Sequence, residues 1–245
     1  MINIDKLFKI GNFYITNTIS STIIVDIIII IFIIIINIKK NIIPNKIQVF
    51  MECVILYFEE IFKRIAVHCN TEITNFICSW SLAFFIFIAV ANLTGQVPGF
   101  HFIKISVLNN NTITTIPLFR ISTSDINLTL ALAFISIFLS HFFCIKCKGI
   151  KTYCTKFITL KAFPIFLFVG VIEFISEIVK IISLSFRLFG NILAGELVIK
   201  KIYNLFAFCV PVPFIIFEII VSLVQAYVFA VLTMVFMNIM LNELY

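Results

Sequence analysis

Two apolar segments near the C-terminus carry charged and amide side chains that could transfer protons, and the spacing of these residues groups them on particular helix faces. In the first of them Glu173, Lys180, Arg187 and Asn191 follow one another at intervals of seven, seven and four residues. At 100° per residue these side chains share one narrow face of an otherwise apolar helix. Hydrocarbon disfavours an arginine by about 2.5–3.5 kcal/mol, so an arginine in such a segment indicates a functional site. Because arginine keeps its charge at all physiological pH values, it suits a position that must stay positive while protons pass nearby.

Other carboxyl and amide groups of these segments lie on different faces. Glu196 is nine residues after Arg187 and therefore lies on the opposite side of the same helix. In the last segment Glu218 and Gln225 are seven residues apart and share a face. If the two segments pack antiparallel, Glu218 comes near the level of Glu196, and Gln225 near that of Arg187 and Asn191. The pattern predicts two half-depth polar paths separated by a fixed cation, and a partner that carries a carboxylate past it.

The same charges could instead form ion pairs that only fix how helices pack. For Glu177 and Lys180, three residues apart, this interpretation has as much weight as a functional one. For Arg187 it has less, because no acid lies one helical turn away to neutralise the guanidinium. Asp26, near the end of the first apolar stretch, is interpreted as a headgroup-region residue rather than a site.

Four potential zinc ligands, His141, Cys144, Cys147 and Cys154, include a C-x-x-C pattern. However, His141 and Cys144 close an apolar span, and no second C-x-x-C or H-x₃-H follows. Reduced thiols are therefore favoured over a metal site, and we expect no metal and no cofactor.

The composition is that of an integral membrane protein. Of 245 residues, 62% are hydrophobic and only 12% are charged, against about a quarter in soluble domains. The net charge of +6 is attributed to loop topology, since no basic cluster interleaved with aromatic residues indicates nucleic-acid binding. The sequence predicts an all-α membrane protein with about five transmembrane helices and one interfacial amphipathic helix.

A single membrane domain is expected over residues 1–245. It is predicted to begin with an N-terminal segment that contains the first span (1–43), followed by the amphipathic helix (44–66). The second and third spans with an outer loop (76–145), a basic cytoplasmic loop (146–161) and two long tilted helices (162–245) come next. The lysines after the first and third spans place these loops on the cytoplasmic side. The apolar segment 162–207 would be roughly 65 Å long as a helix, about twice the hydrocarbon thickness, so it must tilt, break or leave the membrane.

Several blocks of the sequence resemble, in order, subunit a of the F-type ATP synthase membrane sector. The blocks are "ANLTGQVPG" (91–99), "TSDINLTLALA" (123–133), "SLSFRLFGNILAGEL" (183–197) and "FEIIVSLVQAYVFAVLTMVF" (217–236). The resemblance covers about residues 44–241.

The resemblance implies that Arg187 is the essential stator arginine, which meets the ion-carrying carboxylate of a rotating c-ring. The other implied members of the proton path are Asn191 and Gln225 beside the arginine, Glu196 and Glu218 in the outer half-channel, Asp125 and Asn127 near its entry, and Glu173 in the cytoplasmic or matrix half-channel. Glu218 stands where some members have His.

A rotary synthase subunit of this kind would not be an enzyme by itself, and no phosphate-binding loop occurs in the chain. The implied partners are the c-ring, the peripheral-stalk b subunits, the rest of the F-type complex and the lipid bilayer. Glu196, where many mitochondrial members have His, favours a bacterial inner membrane over a mitochondrial one. The alternatives are a secondary ion-coupled transporter with Arg187 as an anion site, which would need broken helices and a repeat, and a purely structural membrane subunit.

Overall fold

The computed structural model describes residues 6–10, 13–38, 44–65, 71–97, 104–109, 112–150, 153, 165–205 and 210–242. The helices are α1 (Asn17–Ile38), α2 (Lys46–Ile65), α3 (Thr71–Gln96), α4 (Ile126–Lys148), α5 (Ile165–Leu205) and α6 (Pro211–Asn242). The predicted class, an all-α integral membrane protein, is confirmed.

Among the described residues, four helical segments are long and apolar enough to cross a membrane. They are Asn17–Ile38, Asn75–Gln96, Ile126–Lys148 and Pro211–Leu241. Their ranges include the first, second, third and fifth spans, which the sequence predicts at about 19–38, 76–93, 126–145 and 213–241. The predicted fourth span lies in α5, an unbroken helix of 41 residues that is about 62 Å long. The length of this segment required it to tilt, break or leave the membrane, and a break within α5 is therefore excluded.

The amphipathic helix predicted at 44–66 corresponds to α2. Phe58 and Phe62 are buried, whereas Arg64 and Glu60 form an exposed ion pair of 2.7 Å one turn apart. Such an exposed pair contributes little to stability, so the buried phenylalanines fix the orientation of α2.

Two short antiparallel hairpins were not predicted. β1 (Lys6–Ile10) pairs with β2 (Phe13–Thr16), and β3 (Lys104–Asn109) pairs with β4 (Thr112–Pro117). The second hairpin lies in the stretch interpreted only as a polar loop. Its strands are rich in Ile, Val and Thr, whose branched side chains favour extended backbone.

Residue contacts divide the chain into two compact units. The first unit comprises Met1–Met51, Ile86–Asp125 and Phe189–Ala226, and the second unit comprises Glu52–Phe85, Ile126–Leu188 and Tyr227–Tyr245. The single membrane domain and its internal boundaries stay a prediction.

The second unit is held together by an apolar core with interhelical hydrogen bonds. Phe76 and Phe143 stack with ring centroids 4.2 Å apart. Ser136 of α4 donates to Thr233 of α6 at 3.0 Å, and both are buried. Because lipid is as apolar as these side chains, close packing and hydrogen bonds of this kind associate helices in a membrane.

Candidate functional site

Arg187 lies on α5 in the second unit, and its side chain is exposed. It lines an open cleft of about 210 Å³ together with Ser176, Val179, Lys180, Ser183, Leu184, Leu232 and Phe236. Arg187 forms no ion pair with any residue that the structure describes. A guanidinium without a carboxylate on an apolar helix can serve as a docking point for an acid from another molecule.

Glu173 and Glu177, which precede Arg187 along α5, differ in their surroundings. Glu173 is half-buried. Glu177, one turn further along α5, is buried and paired, with Lys180 Nζ at 2.9 Å from Oε1 and His141 Nε2 at 3.5 Å from Oε2. The ion pair between Glu177 and Lys180 that the sequence spacing allowed is therefore formed.

The residues considered as zinc ligands have other contacts. His141 faces Glu177 and the Tyr153 hydroxyl, and the Cys144 thiol donates to the Met240 carbonyl at 3.4 Å. Cys147 is exposed, and Cys154 lies outside the described residues. In the described part of the chain, no group of three His, Cys, Asp or Glu side chains is arranged to hold a metal ion.

In the first unit, Asn191 of α5 and Gln225 of α6 meet directly. The Asn191 Nδ2 donates to Gln225 Oε1 at 2.7 Å. This contact confirms that the two helices bring these amides to one level. The level of Gln225 relative to Arg187 stays a prediction.

Glu218 of α6 lies against α5 beside Glu196, as the antiparallel arrangement predicted. A Cβ atom built on Gly195 would be 2.8 Å from Glu218 Oε1 and 3.0 Å from its Cδ. Only a glycine allows the carboxylate to approach the α5 backbone this closely. Glu218 and Glu196 are both buried, with 7% and 4% of their surface exposed.

Glu196 has two cationic partners in the first unit. Arg120 Nη2 lies 3.7 Å from Glu196 Oε2, and Lys200 donates to Oε1. Arg120 is itself only 6% exposed, so this is a buried ion pair. Removing one member of such a pair would leave the other charge buried and uncompensated.

Two amide side chains of α3 continue this polar region. Gln96 Nε2 hydrogen-bonds to the Glu218 carbonyl and to Ser222 Oγ of α6. Asn92 donates to the Ser222 carbonyl and accepts a bond from Thr123. All of these bonds lie within the first unit.

Asp125 is buried at the end of the 3₁₀ turn Ser122–Ser124, where the Thr18 hydroxyl of α1 donates to its Oδ2 at 3.0 Å. A second hydroxyl contact joins Ser21 of α1 to Ser122 at 2.9 Å. Asn127, in the first turn of α4, is exposed. Asp26 is exposed on α1, and its headgroup location stays a prediction.

The family described as "ATP synthase A chain" matches residues 18–238. The chain belongs to this family. "ATP synthase subunit a" of Buchnera aphidicola subsp. Baizongia pistaciae is 34% identical over 202 residues, which are 80% of this chain and 71% of that protein. The Tolumonas auensis protein of the same name is 32% identical over 213 residues, 82% of this chain and 77% of its own length. The Legionella pneumophila protein of the same name is 28% identical over 230 residues, which are 94% of this chain and 88% of that protein.

Membership in the ATP synthase A chain family makes the chain a proton-translocating subunit of the membrane sector, without catalytic activity of its own. Its apolar helices make it a multi-pass membrane protein. The match begins at residue 18 and so includes α1, which the resemblance found in the sequence, from about residue 44, did not.

Sequence reasoning missed three polar residues of this site: the buried Asn92 and Arg120 and the half-buried Gln96. Asn92 and Gln96 stand in the block "ANLTGQVPG", whose amides interrupt an apolar run and were a usable signal. Arg120 had no such signal, because it follows a polar stretch in which an arginine is ordinarily solvated.

Proposed function

We propose that this chain provides two half-depth proton paths to and from a carboxylate on a ring of c subunits, and that Arg187 keeps the two paths electrically apart. The family supports the proton-translocating role. The observation that carries the finer proposal is the exposed guanidinium of Arg187, which has no ion pair with the described residues. A charge that costs several kcal/mol in hydrocarbon is retained only where a partner or a function compensates it.

The outer path is assigned to polar residues of the first unit. Glu196, Glu218, Gln225 and Asn191 are its members, with Asp125 near the entry. Three of their buried atoms, Glu196 Oε2, Glu218 Oε1 and Gln225 Nε2, have no hydrogen bond to the described residues. Water is the natural partner of such atoms, and carboxylates joined by water form a chain along which protons move.

The cytoplasmic path is assigned to the second unit. Its members are Glu173 and the cleft lined by Ser176, Ser183 and Arg187. The lysine-rich segment 146–161 supports the assignment of this path to the cytoplasmic side, since positively charged loops remain cytoplasmic. Asn127 is kept as a candidate for the entry of the outer path on the family resemblance alone.

Arg187 acts through its fixed charge. A nearby cation favours the ionised form of an arriving carboxylate, so each ring carboxylate releases its proton there. The same charge raises the free energy of a proton that would pass directly between the paths. The potential is worth about 2.3 kcal/mol per charge at 100 mV, and this energy drives rotation only if such leakage is prevented.

The proposed partners are the c-ring and the peripheral-stalk b subunits within the F-type complex. The bacterial relatives support a bacterial inner membrane, with the mitochondrial inner membrane as the alternative. The transporter hypothesis is disfavoured, because α5 is continuous through Arg187 and offers no broken-helix site for an anion.

The decisive experiment replaces Arg187 by Ala in vesicles that contain the whole complex. ATP synthesis is expected to stop, and a passive proton leak under an imposed potential should persist when the soluble head is inhibited. Proton uptake is followed with a pH-sensitive dye. Arg64→Ala, which removes an exposed arginine of α2, is the matched control and should leave both readouts unchanged. Continued synthesis in Arg187→Ala would refute the proposal, and vesicles as tight as wild type would refute the sealing role.

A further inference from the structure

We propose that His141 and Glu177 form a proton-transfer pair that connects the Arg187 cleft with the lysine-rich side of the protein. This inference rests on the cytoplasmic path proposed above. It assigns a role to His141, which neither the sequence nor the family membership placed in that path.

Both ring nitrogens of His141 face a group that can exchange protons. Nδ1 lies 3.0 Å from the Tyr153 hydroxyl, and Nε2 lies 3.5 Å from Glu177 Oε2. An imidazole can accept a proton on one nitrogen and release the proton held on the other, and it does so near neutral pH. Partners on opposite sides of the ring are what such a transfer needs.

The end of α4 brings Tyr153 to the histidine. Gly149 follows the last residue of α4 with φ of 83°, and its N–H donates to the Ile145 carbonyl at 2.9 Å. This left-handed conformation favours glycine and turns the chain out of the helix. The Tyr153 N–H then bonds to the Gly149 carbonyl at 3.2 Å, and the Tyr153 ring meets the His141 ring edge to face.

The charges around the pair hold Glu177 in its ionised form. Lys180 of α5 neutralises Glu177, and from α6 the ring of Phe236 lies 5.6 Å below the Lys180 ammonium. Among the described residues, Lys180 and Tyr153 are titratable groups in contact with the pair. Because the positive charge of Lys180 neutralises the negative charge of Glu177, His141 does not have to be protonated for Glu177 to be paired.

Lys180 and Phe236 also line the cleft that contains Arg187. During synthesis, a proton released near Arg187 reaches His141 Nε2 through water, beside the Glu177 carboxylate, which its ion pair with Lys180 keeps ionised. The carboxylate stabilises the charge added to the ring while the Nδ1 proton leaves towards Tyr153 and water. One proton enters and one leaves, and proton exchange with water restores the first tautomer.

The test compares His141→Gln with wild type in vesicles containing the complete complex. Glutamine keeps hydrogen-bonding groups on both sides but does not titrate near neutral pH. Passive proton conduction at neutral pH should fall roughly 10-fold, less than the 10²–10⁴ of a full general acid–base step because water in the cleft offers a bypass. The conduction of the variant should also depend less on pH near neutrality than that of wild type, because glutamine does not titrate.

Ser136→Ala is the matched control, since it removes a buried hydrogen bond of the same helix to Thr233 without a titratable group. It should keep the wild-type rate and pH profile. Glu177→Gln should lower conduction as His141→Gln does, and the double variant should be no slower than either, because the two residues act as one unit. Retained ATP hydrolysis and copurifying complex subunits establish assembly.

Wild-type conduction and pH profile in assembled His141→Gln would overturn the relay, as would an equal loss in Ser136→Ala. Arg187→Ala is measured in parallel to keep the two proposals apart. If Arg187→Ala behaves as expected and His141→Gln behaves as wild type, only the relay is wrong. If Arg187→Ala retains synthesis, the proposed function itself is wrong.

Discussion

The contact between Gly195 and Glu218 makes Gly195→Ala an informative perturbation of the outer path. The added methyl carbon would lie 2.8 Å from Glu218 Oε1, 3.0 Å from Cδ and 3.1 Å from Cγ. All three distances are shorter than an ordinary van der Waals contact of about 3.5 Å. Rotating the carboxylate alone does not relieve the contacts with Cδ and Cγ, so the side chain as a whole must shift.

The geometry gives the size of the effect. Restoring an ordinary contact needs a displacement of roughly 0.6 Å, and misplacement of a reacting group by 1 Å costs up to about 10²-fold in rate. We therefore expect proton conduction to fall about 10-fold. The stability of the complex should fall by at most about 2 kcal/mol, because overpacking costs about 1–3 kcal/mol while alanine gains about 1 kcal/mol over glycine in a helix.

The assay is passive proton uptake into vesicles from which the soluble head has been removed, with ATP hydrolysis before removal as the measure of assembly. Glu218→Asp shortens the side chain by about 1.5 Å and should make room for the methyl group. Gly195→Ala combined with Glu218→Asp should therefore conduct as fast as Glu218→Asp alone. Wild-type conduction by assembled Gly195→Ala would refute the reasoning that the position of Glu218 limits the path.

Two further predictions concern charge type. Arg187→Lys should lose ATP synthesis although the formal charge is kept, because lysine lacks the planar fork and can lose its proton when desolvated; normal synthesis in membranes carrying this variant would contradict the assignment. Glu218→His should retain part of the proton conduction and Glu218→Leu should lose nearly all of it, since only histidine can take up and release a proton; equal conduction by the two variants, measured in the same vesicles, would exclude a relay through this position.

Much of the fold could be predicted from the sequence. The apolar runs were long enough to specify spans, and α2 buries the phenylalanines that its helical periodicity grouped. The two hairpins were missed because their strands lie in stretches that carry polar residues and no apolar periodicity long enough to compete with a loop interpretation.

The candidate site was predictable where both partners lie on helices of known length. Asn191 and Gln225 meet, and Glu218 lies beside Gly195, because two antiparallel helices joined by a short connection have nearly fixed relative levels. His141 and Glu177 could not be paired in this way. They lie on different helices separated by a long basic segment, so no spacing rule related them.

The sequence by itself determined that this chain is a helical membrane protein with Arg187 and its companion acids on apolar helices, because length, hydropathy and helical period are local properties. Only the tertiary structure decided which groups meet across different elements. Arg120 pairs with the buried Glu196, and Tyr153 reaches His141 through the turn at Gly149. Such contacts depend on how loops fold back onto helices, and the direction of a loop is set by long-range packing rather than by its own residues.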